Sequence, residues 1–214
     1  MAWINLAKMI DVTEAEGPGL RTAIWVQGCL KRCYGCCNGQ FLKIKPAELC
    51  QTRHIIERIR YAQQKHKREG ITLLGGEPFL QAEGLAEIAE ESHALGLSVM
   101  VFSGYVFEEL QDHKFKGASR LLAATDVLID GEYEIEKTEN IRNWVGSTNQ
   151  RFHYLTECYN KEIETRFLEV TNEWRIYSRR LLGNGLPFSY AKVSRTAIHE
   201  LPTYNISTFS LGSK

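Results

Sequence analysis

Three cysteines fall within one short run, Cys29-Leu-Lys-Arg-Cys33-Tyr-Gly-Cys36. Thiolates are soft ligands, and three on a single loop can reach one iron–sulfur cluster. A mononuclear zinc site usually gathers two ligand pairs, and no second Cys/His pair stands at a similar spacing here. Three ligands on four irons leave one iron open, and an open metal position is where a reacting molecule binds. The spacing therefore predicts a catalytic 4Fe–4S cluster on Cys29, Cys33 and Cys36. Cys37 follows directly, and adjacent cysteines seldom serve one cluster from a relaxed backbone, so it reads as a packing residue. Cys50 and Cys158 read as buried small hydrophobes. Together these three fall short of the four thiolates that a second fully cysteine-ligated cluster needs.

The elements that must position this loop alternate in type. Thr22–Val26 is a short apolar run with β-branched residues and predicts a strand. Thr52 caps a helix running to about Lys67, with Ile55, Ile56, Ile59 and Ala62 on one face. Ile71–Leu74 is a buried-type strand, and Gln81–Leu95 repeats its apolar residues at helical spacing before Gly96 ends it. Leu97–Phe102 is a third strand, Val106–Leu110 opens a short helix, and Val127–Ile129 is a fourth strand. This succession predicts an α/β fold on a parallel sheet, curved or open, covered by helices. Beyond about residue 140 the rhythm changes. Arg166–Val170 and Glu173–Tyr177 predict a β-hairpin about Thr171-Asn172. The division expected is a core over residues 1–157 and an extension over 158–214 whose role the sequence leaves open.

In parallel α/β folds, ligands bind beyond the carboxyl ends of the strands. The cysteine loop follows the strand ending at Val26, Gly75-Gly76-Glu77-Pro78 follows Leu74, Ser103-Gly104-Tyr105 follows Phe102, and Asp130-Gly131 follows Ile129. Each is an ordinary turn sequence by itself. Gathered beside a cluster loop, they form a rim suited to a cationic, zwitterionic ligand with a ribose. Glycines permit close backbone approach, while Glu77, Ser103 and Asp130 offer acceptors for ammonium and hydroxyl groups.

These motifs resemble the radical S-adenosylmethionine (SAM) superfamily, and more narrowly the activases of glycyl radical enzymes, especially the anaerobic ribonucleotide reductase activases. The likeness rests on the cysteine spacing, the Gly-Gly-Glu-Pro turn, and Glu16-Gly-Pro-Gly-Leu-Arg21 in place of the activases' Asp-Gly-Pro-Gly-x-Arg. Val26-Gln-Gly-Cys29, Ser103-Gly-Tyr105, Asp126–Gly131 and Gly146-Ser-Thr-Asn-Gln-Arg151 extend it across residues 10–155. The resemblance implies a partial (β/α)6 barrel and a cluster-bound SAM. It assigns Gly75, Gly76 and Glu77 to the methionine amino group, Ser103 to the ribose or methionyl part, and Asp130 as a further contact. It also implies a glycyl radical enzyme as partner and an external one-electron reductant such as a flavodoxin or ferredoxin. Two departures stand out. The activases' aromatic after the third cysteine is Cys37 here, leaving Tyr34 as a substitute beside the adenine, and Glu132-Tyr133-Glu134 replaces their Pro-Phe. About sixty residues extend past the likeness, so a peptide, nucleoside or small-molecule target stands beside the glycyl radical enzyme, and a non-catalytic cluster module is the third reading.

Bulk composition agrees with these readings. The chain has 214 residues, 43% hydrophobic and 24% charged, ordinary for a soluble globular protein. No apolar run approaches the roughly 18 residues of a membrane span, and the N-terminus lacks a secretory signal pattern. The cytoplasm is the compartment expected, where clustered cysteines serve as ligands rather than disulfides. Formal net charge is zero but unevenly spread: residues 42–70 hold eight Lys/Arg against three Asp/Glu, and residues 71–140 hold four against fourteen. That asymmetry suits solvated helix faces or docking to an oppositely charged protein. Nucleic acid is not favoured, for want of a net basic excess with interleaved aromatics.

Overall fold

The structure is a computed structural model that describes residues 2–112, 115–177 and 180–185. Strands β1 (Trp3–Thr13), β2 (Arg21–Val26) and β3 (Glu48–Gln51) precede helix α1 (Thr52–Lys65), then β4 (Gly70–Gly75) and α2 (Ala82–Ala94). Next come β5 (Ser98–Phe102), the short helices α3 (Phe107–Gln111) and α4 (Ala118–Ala123), β6 (Val127–Asp130) and β7 (Arg151–Tyr154). A separate hairpin of β8 (Asn172–Tyr177) and β9 (Arg180–Gly185) closes the described chain.

The main sheet runs β3-β1-β2-β4-β5-β6-β7. Its four central strands, β2, β4, β5 and β6, are parallel neighbours. On either side, β1 pairs with β2, β3 with β1, and β7 with β6, all antiparallel. The sheet is thus mixed, and the four parallel strands do not make the six-unit β/α barrel that the resemblance implies. Antiparallel strands take three of the seven places, because the connections into β2, β3 and β7 are loops without a crossover helix.

Alternation along the central strands sorts their side chains. Ile24, Val26, Ile71, Leu73, Val99, Val101 and Leu128 face one side, where they pack with Ile55 and Ile59 of α1 and Leu85 and Ile88 of α2. The other side carries Ala23, Trp25 and Leu74 in one apolar group, and Met100, Val127 and Ile129 with Trp144, Val145 and Ile163 in another. Helices cover the first face. The second face is covered by irregular chain, and there the cavity lies. Arg21 is fully buried beneath it, donating to Thr72 Oγ1, Pro18 O, Ile71 O and the Tyr159 hydroxyl.

The hairpin forms, but in another register than expected. Residues 166–170 are not a strand, and Trp174 pairs with Gly183. A Cβ on Gly183 would stand 2.8 Å from the Trp174 ring, so the glycine is what lets the indole lie across the partner strand. Residues 186–214, most of the tail of the expected extension, lie outside the described residues.

Candidate functional site

The cysteine loop leaves β2 held at both ends. Gly28 N donates to Phe41 O at 2.8 Å and Cys29 N to Leu42 O at 3.0 Å, while the Gln27 amide donates to Lys43 O at 2.6 Å. From its middle, Lys31 reaches across the sheet end. Its ammonium lies 3.0 Å from Glu132 and 3.5 Å from Glu109, and 4.3 Å from the centre of the Tyr105 ring. Glu132 also stands 3.8 Å from Cys33 Sγ. Glu132, a departure from the family pattern, is therefore the residue that ties the cysteine loop to the end of β6. Sequence reasoning missed the pair because 101 positions separate its members.

The Gly75-Gly76-Glu77 turn presses against this loop. Gly76 N donates to Val26 O and Glu77 N to Gly28 O, both at 2.8 Å. A Cβ on Gly75 would lie 2.6 Å from Val26 N, and one on Gly76 would lie 2.3 Å from Gly28 O. Gly75 also has φ +115°. Both glycines are required by close backbone approach. Glu77 caps the short 3₁₀ turn Pro78–Gln81 by accepting from Phe79 N at 3.0 Å. It also accepts from Ser103 Oγ at 3.0 Å and Gly104 N at 2.8 Å. One carboxylate thus joins the ends of β4 and β5. It is fully buried, and that burial pushes its pKa up to about 7 against the three hydrogen bonds and Lys31.

A cavity of about 930 Å³ opens at these strand ends. Cys29, Cys33 and Cys36 line it together, as do Gly75, Gly76, Glu77 and Ser103. Asp130 does not. It is fully buried, accepting from Arg151 Nε at 3.0 Å and Phe107 N at 2.6 Å, with His153 Nε2 3.0 Å away. Its neighbour Gly131 lines the cavity instead. Tyr34 is 84% exposed and not part of the lining, so the aromatic surfaces on offer are Trp25, Phe41, Phe102, Tyr133, Trp144 and Trp174. Cys37 is not a packing residue, since it is exposed and faces the cavity beside the third cysteine. Cys158 is exposed too, while Cys50 packs half-buried against the core.

The thiols differ in acidity. A hydrogen bond with the Cys37 thiol lowers Cys36 to about 6 in spite of burial, and the same bond raises Cys37. Burial raises Cys29 and Cys33. Glu16, which the sequence marked only as part of a motif, also lines the cavity, and burial raises it to about 7. Among the described residues no three Cys, His, Asp or Glu side chains close on a single ion position. Three soft donors around one cavity, with polar groups opposite, are a donor set that fits a polynuclear cluster.

The chain matches a family described as a 4Fe–4S single cluster domain over residues 15–153. It is also similar to proteins named anaerobic ribonucleoside-triphosphate reductase-activating protein. The one from Enterobacteria phage T4 is 30% identical over 159 residues, covering 72% of this chain and 96% of the relative. That from Haemophilus influenzae is 31% identical over 157 residues, covering 70% and 97%. That from Pasteurella multocida is 30% identical over 162 residues, covering 72% and 99%. The chain belongs to this family of reductase-activating iron–sulfur proteins. These activating proteins are matched over almost their whole length, whereas the family domain ends here at residue 153 and leaves the β8–β9 hairpin outside it. The hairpin nevertheless contributes Asn172, Trp174 and Asn184 to the cavity wall.

Proposed function

We propose that the protein is a radical SAM activase: it cleaves SAM at a 4Fe–4S cluster held by Cys29, Cys33 and Cys36 and abstracts hydrogen from a backbone glycine of a glycyl radical enzyme. The observation that carries this reading is the shared cavity, in which three thiols and the Gly75-Gly76-Glu77 turn face one space. A cluster held by Cys29, Cys33 and Cys36 would supply the one electron for reductive cleavage of SAM to methionine and a 5′-deoxyadenosyl radical. The chain's own residues do the rest. Gly75 and Gly76 let the β4 turn lie against the cysteine loop, where with Glu77 they would hold the methionine amino group. Glu77, fully buried with its pKa raised to about 7, would hold the cofactor's ammonium as a carboxylate, since a nearby cation favours its charged form. Ser103, locked to Glu77, sets the β5 loop at the ribose or methionyl end. Asp130 acts from behind the cavity by fixing Arg151 and the start of α3. An external one-electron reductant, such as a flavodoxin or ferredoxin, would supply the electron.

Among the described residues no helix is long and apolar enough to cross a membrane, and the reading places the enzyme in the cytoplasm with its partner. A second reading keeps the same chemistry but takes a short peptide, nucleoside or small molecule as target. It is favoured by one observation, the hairpin wall beyond the family domain. To decide, the reduced, iron-loaded protein is mixed with SAM and a co-encoded large partner, and electron paramagnetic resonance is recorded. The activase reading expects a glycyl doublet on the partner. Deoxyadenosine formed only with a small molecule or free peptide, and no doublet, selects the second reading.

A further inference from the structure

The cysteine loop has two faces. Cys29, Lys31, Cys33, Gly35 and Cys36 line the cavity, whereas Leu30, Arg32 and Tyr34 between them do not. Leu30 is 55% exposed, Tyr34 is 84% exposed, and Arg32 is exposed with them. This alternation makes the loop a thin wall, with the thiols on its inner side. The returning chain runs beside it: Gly28 N and Cys29 N donate to Phe41 O and Leu42 O, and a Cβ on Gly28 would lie 3.6 Å from Ile44 Cγ1. Lys43, Ile44 and Lys45 are exposed there, Ile44 by 61%, and none of the three lines the cavity. Charge on this outer face has one sign. From Gly17 to Ala47 there is no Asp or Glu, and Glu48, the first acid after them, already belongs to β3. Of the cations in that stretch, Arg21 is buried and Lys31 is paired with Glu132 and Glu109. Among the described residues no ion pair holds Arg32, Lys43 or Lys45.

We propose that this outer face is the docking surface for the electron donor, an acidic flavoprotein of the flavodoxin kind; the inference rests on the activase reading, which needs one electron for each SAM cleaved. The inner face is taken, because SAM and its target must share the cavity of about 930 Å³ with the cluster. An electron, unlike either of them, can cross a thin wall of chain. The back of the loop therefore brings a donor up to the thiols without entering the cavity. Two exposed aliphatic side chains, Leu30 and Ile44, with three unpaired cations around them, suit a partner that is apolar at the contact and acidic at its rim. The dimethylbenzene edge of a flavin offers that apolar contact, whereas an iron–sulfur carrier meets its partner with polypeptide alone. In the transfer, the flavin hydroquinone anion gives up one electron and becomes a neutral radical. The cluster on the three cysteines accepts that electron, and no bond is made or broken.

The test follows, by stopped-flow absorbance, the reduction of the iron-loaded protein by reduced flavodoxin at low and high ionic strength, with SAM left out. The wild-type rate should fall as salt rises. Lys43→Glu combined with Lys45→Glu should slow it about tenfold or more at low salt and remove most of the salt dependence. The milder pair Lys43→Gln and Lys45→Gln should lose less. Photoreduced deazaflavin, a small donor that needs no docking, should reduce all three proteins at one rate, and iron content and circular dichroism show that each is folded. A ferredoxin of similar net charge should reduce the wild type more slowly than flavodoxin does. No reduction of the wild type by flavodoxin, equal flavodoxin rates in wild type and Glu variant, a rate indifferent to salt, an equal loss with deazaflavin, or faster reduction by ferredoxin would overturn the proposal. The result is separable from the activase reading: a cluster that flavodoxin reduces through this face and that SAM never perturbs would defeat that reading alone.

Discussion

Cys33 shows how much a single residue decides. Its sulfur is one of three soft donors on the cavity, whereas Cys50 sits in β3 against the helix-covered core. Anaerobic reconstitution of the wild type should yield about four irons per chain. Cys33→Ala should lose this iron and its visible absorption, and Cys50→Ala should keep both; iron retained in full by Cys33→Ala would contradict the assignment. Glu16 offers a test through pH. Its folded pKa is raised from 4.5 to about 7, chiefly by burial. The folded state therefore binds more protons than the unfolded state between those values, and stability falls as pH rises through that window and is level above it. Glu16→Gln removes this dependence and keeps an acceptor for Gly185 N, which donates to Glu16 Oε1 at 2.7 Å. Measured by thermal unfolding, the wild type should lose ground to the variant by up to about 3 kcal/mol between pH 4.5 and 7. A constant difference across that range would mean the acid is not buried. The cysteines and the Gly-Gly-Glu-Pro turn were legible in the sequence because each is a contiguous run whose residue types and spacing carry the pattern, although their contacts reach far along the chain. The Glu16–Gly185 and Lys31–Glu132 pairs were not, since nothing in either residue's neighbourhood marks a partner so far along the chain.

At the scale of elements, legibility followed regularity. The four central strands read correctly because each is a short apolar run buried on both faces. Strand β1 escaped notice although it has eleven residues. Ile4, Leu6 and Ile10 are buried, but register shifts after Leu6 and Ile10 break the period of two and scatter Asn5, Lys8 and Asp11 among them. The antiparallel return β7 is four residues long and carries Arg151, which donates to the buried Asp130, and His153, whose Nε2 stands 3.0 Å from the same carboxylate. That pair makes a prediction for the β6–β7–α3 junction. Arg151→Ala leaves the Asp130 carboxylate buried with Phe107 N and His153 alone. Because Arg151 is itself 44% exposed, the loss should be about 1–3 kcal/mol rather than that of a fully buried pair. Arg151→Lys should recover only part of it, since an ammonium cannot bridge Asp130 and Glu108 as the guanidinium does. Thermal midpoints equal to wild type for Arg151→Ala would show that the junction does not need the pair.

Among the described residues, one face of the sheet is given to helices and the other to the cavity, and the β8–β9 hairpin lines that cavity. The boundary expected at residue 157 cuts through packed structure. Tyr159 bonds to Ser98, Glu69 and Arg21, and Ile163 packs with Met100, Val127 and Ile129. We place the core's end after Leu168, which packs on the same group. A chain ending at residue 170 should fold and take up iron, while one ending at 157 should unfold well below the wild-type midpoint; equal stability of the two would restore the earlier boundary.

The central claim is that three thiols and the β4 turn share one cavity so that SAM can bind an open iron. The direct measurement is the electron paramagnetic resonance spectrum of the reduced, iron-loaded protein before and after SAM is added, with deoxyadenosine assayed in the same sample. The account predicts a shifted cluster spectrum and slow release of deoxyadenosine and methionine, with the shift demanding more SAM in Glu77→Ala at unchanged iron content. A fully loaded, fully reduced cluster whose spectrum SAM leaves untouched, and which yields no deoxyadenosine, would contradict it.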